Sequence, residues 1–223
     1  ACRCRDTVPG RKDGLEQQSD QMNRHEPGLS RPVPGELRRP GGKGVPEQWR
    51  EKMLTIYGVP ISVHTRKPIV AAHSKGLEFR IEPVIPFDPP DGWRDLSPTG
   101  RIPAMRDGDF SLGESSAICA YIDSLSPKAP IYPEAARPRA TALALEQFAT
   151  GGLFADIVHP LFHQIVVRPK ILGDEAADVT VLKDVVASAV PRHFGYLEGL
   201  AGDAGLCGLP FGIADISVAS GLI

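Results

Sequence analysis

Cysteine is scarce in this chain: Cys2, Cys4, Cys119 and Cys207 are the only four in 223 residues. They form no Cys-x-x-Cys pair and no disulfide framework, and no His/Cys cluster has zinc-ligand spacing, so no metal is expected. Scattered free thiols suit a reducing compartment, and the expected location is cytoplasmic. An excess of one charge is lacking too. Twenty-five basic residues against 27 acidic ones leave a net charge of -2, which gives no electrostatic reason to expect a nucleic-acid partner. The densest basic cluster, Arg38 and Arg39, sits among prolines. No apolar run is long enough to cross a bilayer, so no membrane partner is expected, and the N-terminal stretch has no apolar core of the kind a secretory leader carries.

What is present divides near residue 52. Residues 1–52 are rich in Gly, Pro, Arg, Gln and Glu and poor in bulky apolar residues. Such a composition buries too little surface to offset ordering entropy, so a disordered tail or linker is expected there. Met53 opens the first apolar run, and the folded part is expected to start at that residue. From there the composition is that of an ordinary globular protein, with a length suited to one or two small domains.

Residues 53–59 (MLTIYGV) read as a buried strand with Leu54 and Ile56 on one face. Residues 66–75 read as a helix stopped by Gly76, and 77–85 as a second strand. After a Pro-, Asp- and Gly-rich link, 102–105 and 109–112 read as a hairpin turning across Arg106–Gly108. Residues 114–125 read as an amphipathic helix with Ile118, Tyr121, Ile122 and Leu125 near one face. Strand, helix, strand, link, hairpin and helix make a four-stranded mixed sheet, the first two strands parallel through a right-handed crossover. That is a thioredoxin-like plan. Strand signals vanish after Pro138. Residues 139–167 read as one long helix or a broken pair, weak at Gly151 and Gly152. Residues 174–201 read as a helix with a kink at Pro191, and 213–223 open a third apolar helix. The fold class expected is an α+β thioredoxin-like domain over 53–127, followed by an all-α helical domain over 136–223.

Three motifs carry a family resemblance. Residues 57–68 are YGVPISVHTRKP, 96–118 are LSPTGRIPAMRDGDFSLGESSAI, and 208–220 are GLPFGIADISVAS. With them, residues 53–223 resemble the cytosolic glutathione transferases, bacterial or phi-like members most closely. In that family the first motif holds a serine that activates glutathione, and Ser62 matches it. A free thiol has a pKa near 8.5, and a hydroxyl donor beside helix N-terminal amides favours the thiolate. Lowering that pKa by about two units corresponds to roughly 2.7 kcal/mol of preferential thiolate binding. On its own, Ser62 reads equally as a strand end or a helix cap. Pro68 departs from the family's apolar residue. With Thr65 as the N-cap it falls in the first turn, where it costs little, and Ser62 is left in the preceding loop. Thr65 is then the second candidate for the activating hydroxyl.

In the second motif the resemblance implies a cis bond between Ile102 and Pro103, which turns the Ile102 backbone toward the cysteinyl part of glutathione. Glu114 and Ser115 match the acidic-Ser pair that holds the γ-glutamyl end, with Glu114 taking the ammonium and Ser115 opening a helix toward the carboxylate. Read locally, the same pair is a plain helix start. Arg101 matches a position near the glycyl carboxylate, or is a solvated loop arginine. Trp93 and Arg94 are weaker candidates from the same loop. In the third motif Gly212 stands where a capping Ser or Thr is usual, and Asp215 takes the acidic position three residues on.

The resemblance implies an enzyme that adds the glutathione thiolate to a hydrophobic electrophile. Glutathione is the cosubstrate, there is no further cofactor or metal, and the partner is a second copy in a homodimer. Phe154, His159 and Phe162 are loose candidates for the electrophile side. Two alternatives stand beside this one: a transferase-like protein that binds glutathione without turnover, and a glutathione-dependent isomerase, dehalogenase or peroxidase. The family's helical half continues past the position matched by Ile223, so that half is read as incomplete. Ile216 and Val218 are expected to lose part of their cover.

Overall fold

The structure is a computed structural model and describes residues 53–173 and 176–222. The expectation of a disordered tail over 1–52 lies outside the described residues.

Strand β1 (Leu54–Tyr57) is buried along its whole length, as befits an apolar strand covered on both faces. Helix α1 (Val63–Ser74) returns the chain to β2 (Phe79–Glu82), which pairs parallel with β1. A short helix, α2 (Trp93–Leu96), leads to the antiparallel hairpin β3 (Ala104–Asp107) and β4 (Phe110–Gly113). The sheet order is β2-β1-β3-β4, with β3 antiparallel to β1. Helix α3 (Ser115–Ser124) completes the thioredoxin-like plan.

Alternation in β1 divides the core. Leu54 and Ile56 join Met105, Ala71 of α1, and Ile118 and Ile122 of α3 on one face. Tyr57 and Ala104 meet Trp93 and Leu96 of α2 on the other. The first cluster continues without a break into Ala142, Ile213 and Ile216, so the sheet half and the helical half share one core.

The helical half starts with α4 (Ala136–Gln147) and runs on through wide π-type turns (Phe148–Val158), α5 (His159–Phe162) and a second π-type stretch (His163–Leu172). Gly151 and Gly152 do not break this helix; they lie in its first π-type stretch. Helix α6 (Val179–Asp184), a π-type stretch (Val185–Ala189) and α7 (Val190–Leu200) follow, with the irregularity falling just before Pro191. The closing helix is α8 (Ile213–Leu222).

Four expectations need correction. Helix α1 starts at Val63, three residues earlier than expected, because Ser62 is its N-cap. Pro68 therefore lies inside the helix, where its ring replaces an N–H that would have bonded the His64 carbonyl. Leu125 is 40% exposed at the end of α3, whereas Ile118 and Ile122 are fully buried. Strand structure does return after Pro138, as β5 (Ala201–Gly202) paired with β6 (Gly205–Leu206) around a tight turn. Finally, Ile216 and Val218 are 1% and 5% exposed, so they are covered. Packing of α8 against α1, α4 and the first π-type stretch supplies that cover.

Asp215 explains the start of α8. One of its carboxylate oxygens accepts from the Gly212 amide at 3.0 Å and the other from the Leu206 amide at 3.1 Å. Gly212 has a reason that its cap position does not reveal. A Cβ there would stand 2.6 Å from the Ile131 carbonyl oxygen, which already accepts from the Ile213 amide at 2.9 Å.

Candidate active site

A small cleft of about 70 Å³ opens where α1, the loop before β3 and the start of α3 converge, lined by His64, Thr99, Arg101, Ile102, Pro103, Glu114 and Ser115. The five residues expected from the second sequence motif therefore meet in one cavity, although they are separated in sequence by a hairpin.

Each wall is held by identifiable contacts. The Ile102–Pro103 peptide is cis, as the resemblance implied. Ser97 Oγ donates to the Arg101 carbonyl at 2.7 Å, and Trp93 Nε1 donates to the Gly100 carbonyl at 3.1 Å. Trp93 is thus a buried brace beneath the loop and Arg94 an exposed one, donating to the Pro98 carbonyl; neither lines the cleft. Glu114 joins β4 to α3 with a φ of 65°, a left-handed conformation that costs a non-glycine residue about 1 kcal/mol or more. Its side chain is exposed, while Ser115, the first residue of α3, is 8% exposed. The Glu114 carbonyl accepts the first helical bond, from Ile118. Tyr121 OH donates to Asp107 at 2.7 Å and ties α3 to the hairpin.

Ser62 sits at the N-terminus of α1, at the edge of this region and outside the cleft lining. Its Oγ accepts from the Thr65 amide at 3.4 Å, a long bond that uses only the oxygen and leaves the hydroxyl proton available to donate elsewhere. Arg66 fastens the preceding turn by donating to the Pro60 and Ile61 carbonyls at 3.2 and 2.9 Å. Thr65 is fully buried and faces the turn after β1, where a Cβ on Gly58 would meet its Oγ1 at 2.6 Å. Its hydroxyl points into the fold and lines no part of the cleft.

His64 was not singled out in the sequence, although it lies within the first motif, two residues after Ser62. Burial, with Lys67 and Arg101 adding positive charge nearby, pulls its pKa down to about 4. Its ring meets Phe154 edge-on with centroids 4.6 Å apart, so the helical half reaches the cleft at this point. Phe154 continues to His159 at 5.8 Å, and His159 stacks on His163 at 6.0 Å. Phe162 lies on the same turn as His159 and takes no part in this row.

The family model described as "Glutathione S-transferase, N-terminal domain" matches residues 56–130. Glutathione S-transferase 3 of Zea mays is 33% identical over 168 residues, covering 73% of this chain and 73% of the maize protein. The chain belongs to the glutathione S-transferase family. A solved structure titled glutathione S-transferase III in apo form is 32% identical, with a TM-score of 0.62 over 76% of this chain and 79% of the other. A glutathione S-transferase from Rhodospirillum rubrum, at 23% identity, has a TM-score of 0.71 over 76% and 77% of the two chains and shares the fold. Within this family frame, the cleft lies where the sheet half presents the cis proline and the N-terminus of α3.

Proposed function

We propose that the chain conjugates the glutathione thiolate to hydrophobic electrophiles and that the cleft beside α1 is where glutathione lies. The observation carrying this reading is that Arg101, Ile102, Pro103, Glu114 and Ser115 line one cavity. Their chemistry runs in the order of the tripeptide. The arginine suits the glycyl carboxylate, and the backbone of Ile102 suits the cysteinyl amide. Ser115, at the amide-rich start of α3, suits the γ-glutamyl carboxylate, and Glu114 suits its ammonium. The sulfur then falls near the N-terminus of α1, where Ser62 donates its hydroxyl hydrogen to the thiolate.

In this mechanism the thiol proton passes to solvent and the thiolate attacks the electrophile. A sulfur–carbon bond forms as the leaving group departs, or as a double bond accepts the electron pair. Rate comes from the lowered thiol pKa and from holding two reactants together. Phe154 and His159 are placed on the electrophile side. We read residues 53–127 as the glutathione-binding unit and 136–223 as the helical unit. A homodimer, a cytoplasmic location and glutathione as cosubstrate without metal or further cofactor belong to the same proposal. Among the described residues no helix is long and apolar enough to cross a membrane.

Conjugation of glutathione to chlorodinitrobenzene tests the reading. Turnover by the parent that is mostly lost in Ser62→Ala supports it. The position of Ser62 outside the cleft lining favours a second reading, glutathione binding without conjugation. A folded parent that binds glutathione with no rate above buffer would select that one.

A further inference from the structure

Seven residues line the cleft, and the proposed pose of glutathione uses all of its polar side chains except those of Thr99 and His64. Thr99 is exposed and its Oγ1 accepts from the Arg101 amide at 3.4 Å, on the glycyl side. His64 is on the opposite wall, in the first turn of α1, and its ring is fixed by the edge contact with Phe154. Among the described residues neither imidazole nitrogen has a hydrogen-bond partner. A half-buried polar ring, held by packing and facing a cavity, is an unfilled hydrogen-bonding position.

We propose that His64 is a second thiolate-holding catalytic residue, whose ring N–H donates to the glutathione sulfur alongside the Ser62 hydroxyl. This rests on the reading of the cleft as the glutathione site. The cysteinyl residue is the middle of the tripeptide, and Ile102 and the α3 terminus flank it on one wall. Its side chain therefore points to the facing wall, which is α1. His64 is the side chain of α1 that lines the cleft, and Ser62 stands at the helix cap two residues before it.

A neutral imidazole suits the role. It carries one N–H and remains uncharged at neutral pH, so it can stabilise sulfur without a salt-sensitive ion pair. Burial and the cations around it favour neutrality, and one carboxylate, Glu114, is on the cleft lining against them. Lys67 of α1 and Arg101 of the cleft loop are positive, Phe154 of the helical half is apolar, and Glu114 lies across the cleft rim. Lys67 keeps its own partner, Glu146, at 2.7 Å. In the step itself the S–H proton leaves to water, the N–H stays on the ring, and no charge appears on His64.

The experiment compares the parent with His64→Gln, His64→Phe and His64→Leu. Glutamine keeps an N–H donor, phenylalanine keeps the ring against Phe154 without a donor, and leucine removes both. The readouts are the pKa of the bound glutathione thiol, from thiolate ultraviolet absorbance, and the glutathione dissociation constant. In both donor-less variants the thiol pKa should rise by about one unit, a tenfold loss of rate below that pKa, while His64→Gln stays near the parent. Glutathione affinity should change by less than about threefold, roughly 0.65 kcal/mol. A parental thiol pKa in His64→Phe overturns the proposal. So does a loss confined to glutathione affinity, which would place His64 on the peptide portion. If one donor-less variant fails to fold, the other and the glutamine variant decide. Failure of the cleft reading looks different: the parent itself then binds no glutathione.

Discussion

Lys67 Nζ of α1 lies 2.7 Å from Glu146 Oε1 of α4, and the two side chains are 0% and 1% exposed. Ser116 Oγ accepts a second bond from Lys67 at 3.1 Å, and the Tyr132 hydroxyl reaches the Glu146 carboxylate at 3.1 and 3.2 Å. Burial, with Glu146 next in weight, pushes the Tyr132 phenol pKa up, so it stays a neutral donor. The network joins the helix that carries Ser62 and His64 to the helix that starts at Ser115, and both to the helical half.

Breaking this pair from one side should be costly. Glu146→Ala leaves Lys67 charged and unpaired in the core, and we expect a loss of about 3–5 kcal/mol. The double variant Lys67→Met, Glu146→Leu should recover most of that loss, because desolvation of both ions is avoided. Urea unfolding of Lys67→Met, Glu146→Leu and their double checks it. Additive losses would show that the charges do not act as a pair.

Substitutions can separate the cap role of Ser62 from the thiolate-holding role proposed for it. Its cap bond is long, so Ser62→Ala should cost about 0.5–1 kcal/mol, toward the low end for a cap, and Ser62→Gly only a few tenths. Both remove the hydroxyl and should lose conjugation alike, by roughly tenfold to a hundredfold for about one to two units of thiol pKa. Thermal unfolding beside chlorodinitrobenzene kinetics makes the comparison. Activity that follows stability, with glycine close to the parent, would reduce Ser62 to a cap.

Two glycines in the helical half should respond in opposite directions. Gly212→Ala pushes a methyl to within 2.6 Å of the Ile131 carbonyl and must shift the start of α8, for an expected loss of about 2–4 kcal/mol. Gly151→Ala has open space and a helical backbone, so a gain of about 0.5–1 kcal/mol is expected. Denaturant midpoints of the two variants decide.

His64 should make the folded state sensitive to mild acid. Its folded pKa of about 4 lies below its ordinary value of 6.5, so the unfolded chain binds its proton first as pH falls. Stability from this residue is complete above about pH 6.5 and declines as pH drops toward 4. His64→Gln should flatten the urea midpoint between pH 7 and pH 5 relative to the parent. Parallel curves would mean that His64 titrates normally in the folded protein.

The thioredoxin-like half was legible because its signals are local. Alternation marked β1, Gly76 marked the end of α1, and the Ile102-Pro103 and Glu114-Ser115 pairs carried their spacing openly. The start of α1 was misplaced because Pro68 outweighed Ser62 as a guide. Propensity counts the lost hydrogen bond, while Arg66 and the buried Lys67 hold the helix to its earlier start. His64 went unremarked because a lone histidine in a helix has no local signature of a cleft wall. The Lys67–Glu146 pair spans 79 positions, so no sequence window contains it.

By itself the sequence determined the order of the strands and the two flanking helices of the sheet half, the sheet plan and the motifs that carry the family, because these depend on side-chain periodicity and on short runs of turn and cap residues. Only the tertiary structure decided which hydroxyl of α1 stands at the site's edge, which ring of α1 faces the cleft, and why Gly212 must be glycine. Each of those depends on the distance between segments far apart in the chain, and such distances are set by packing, which no local pattern encodes.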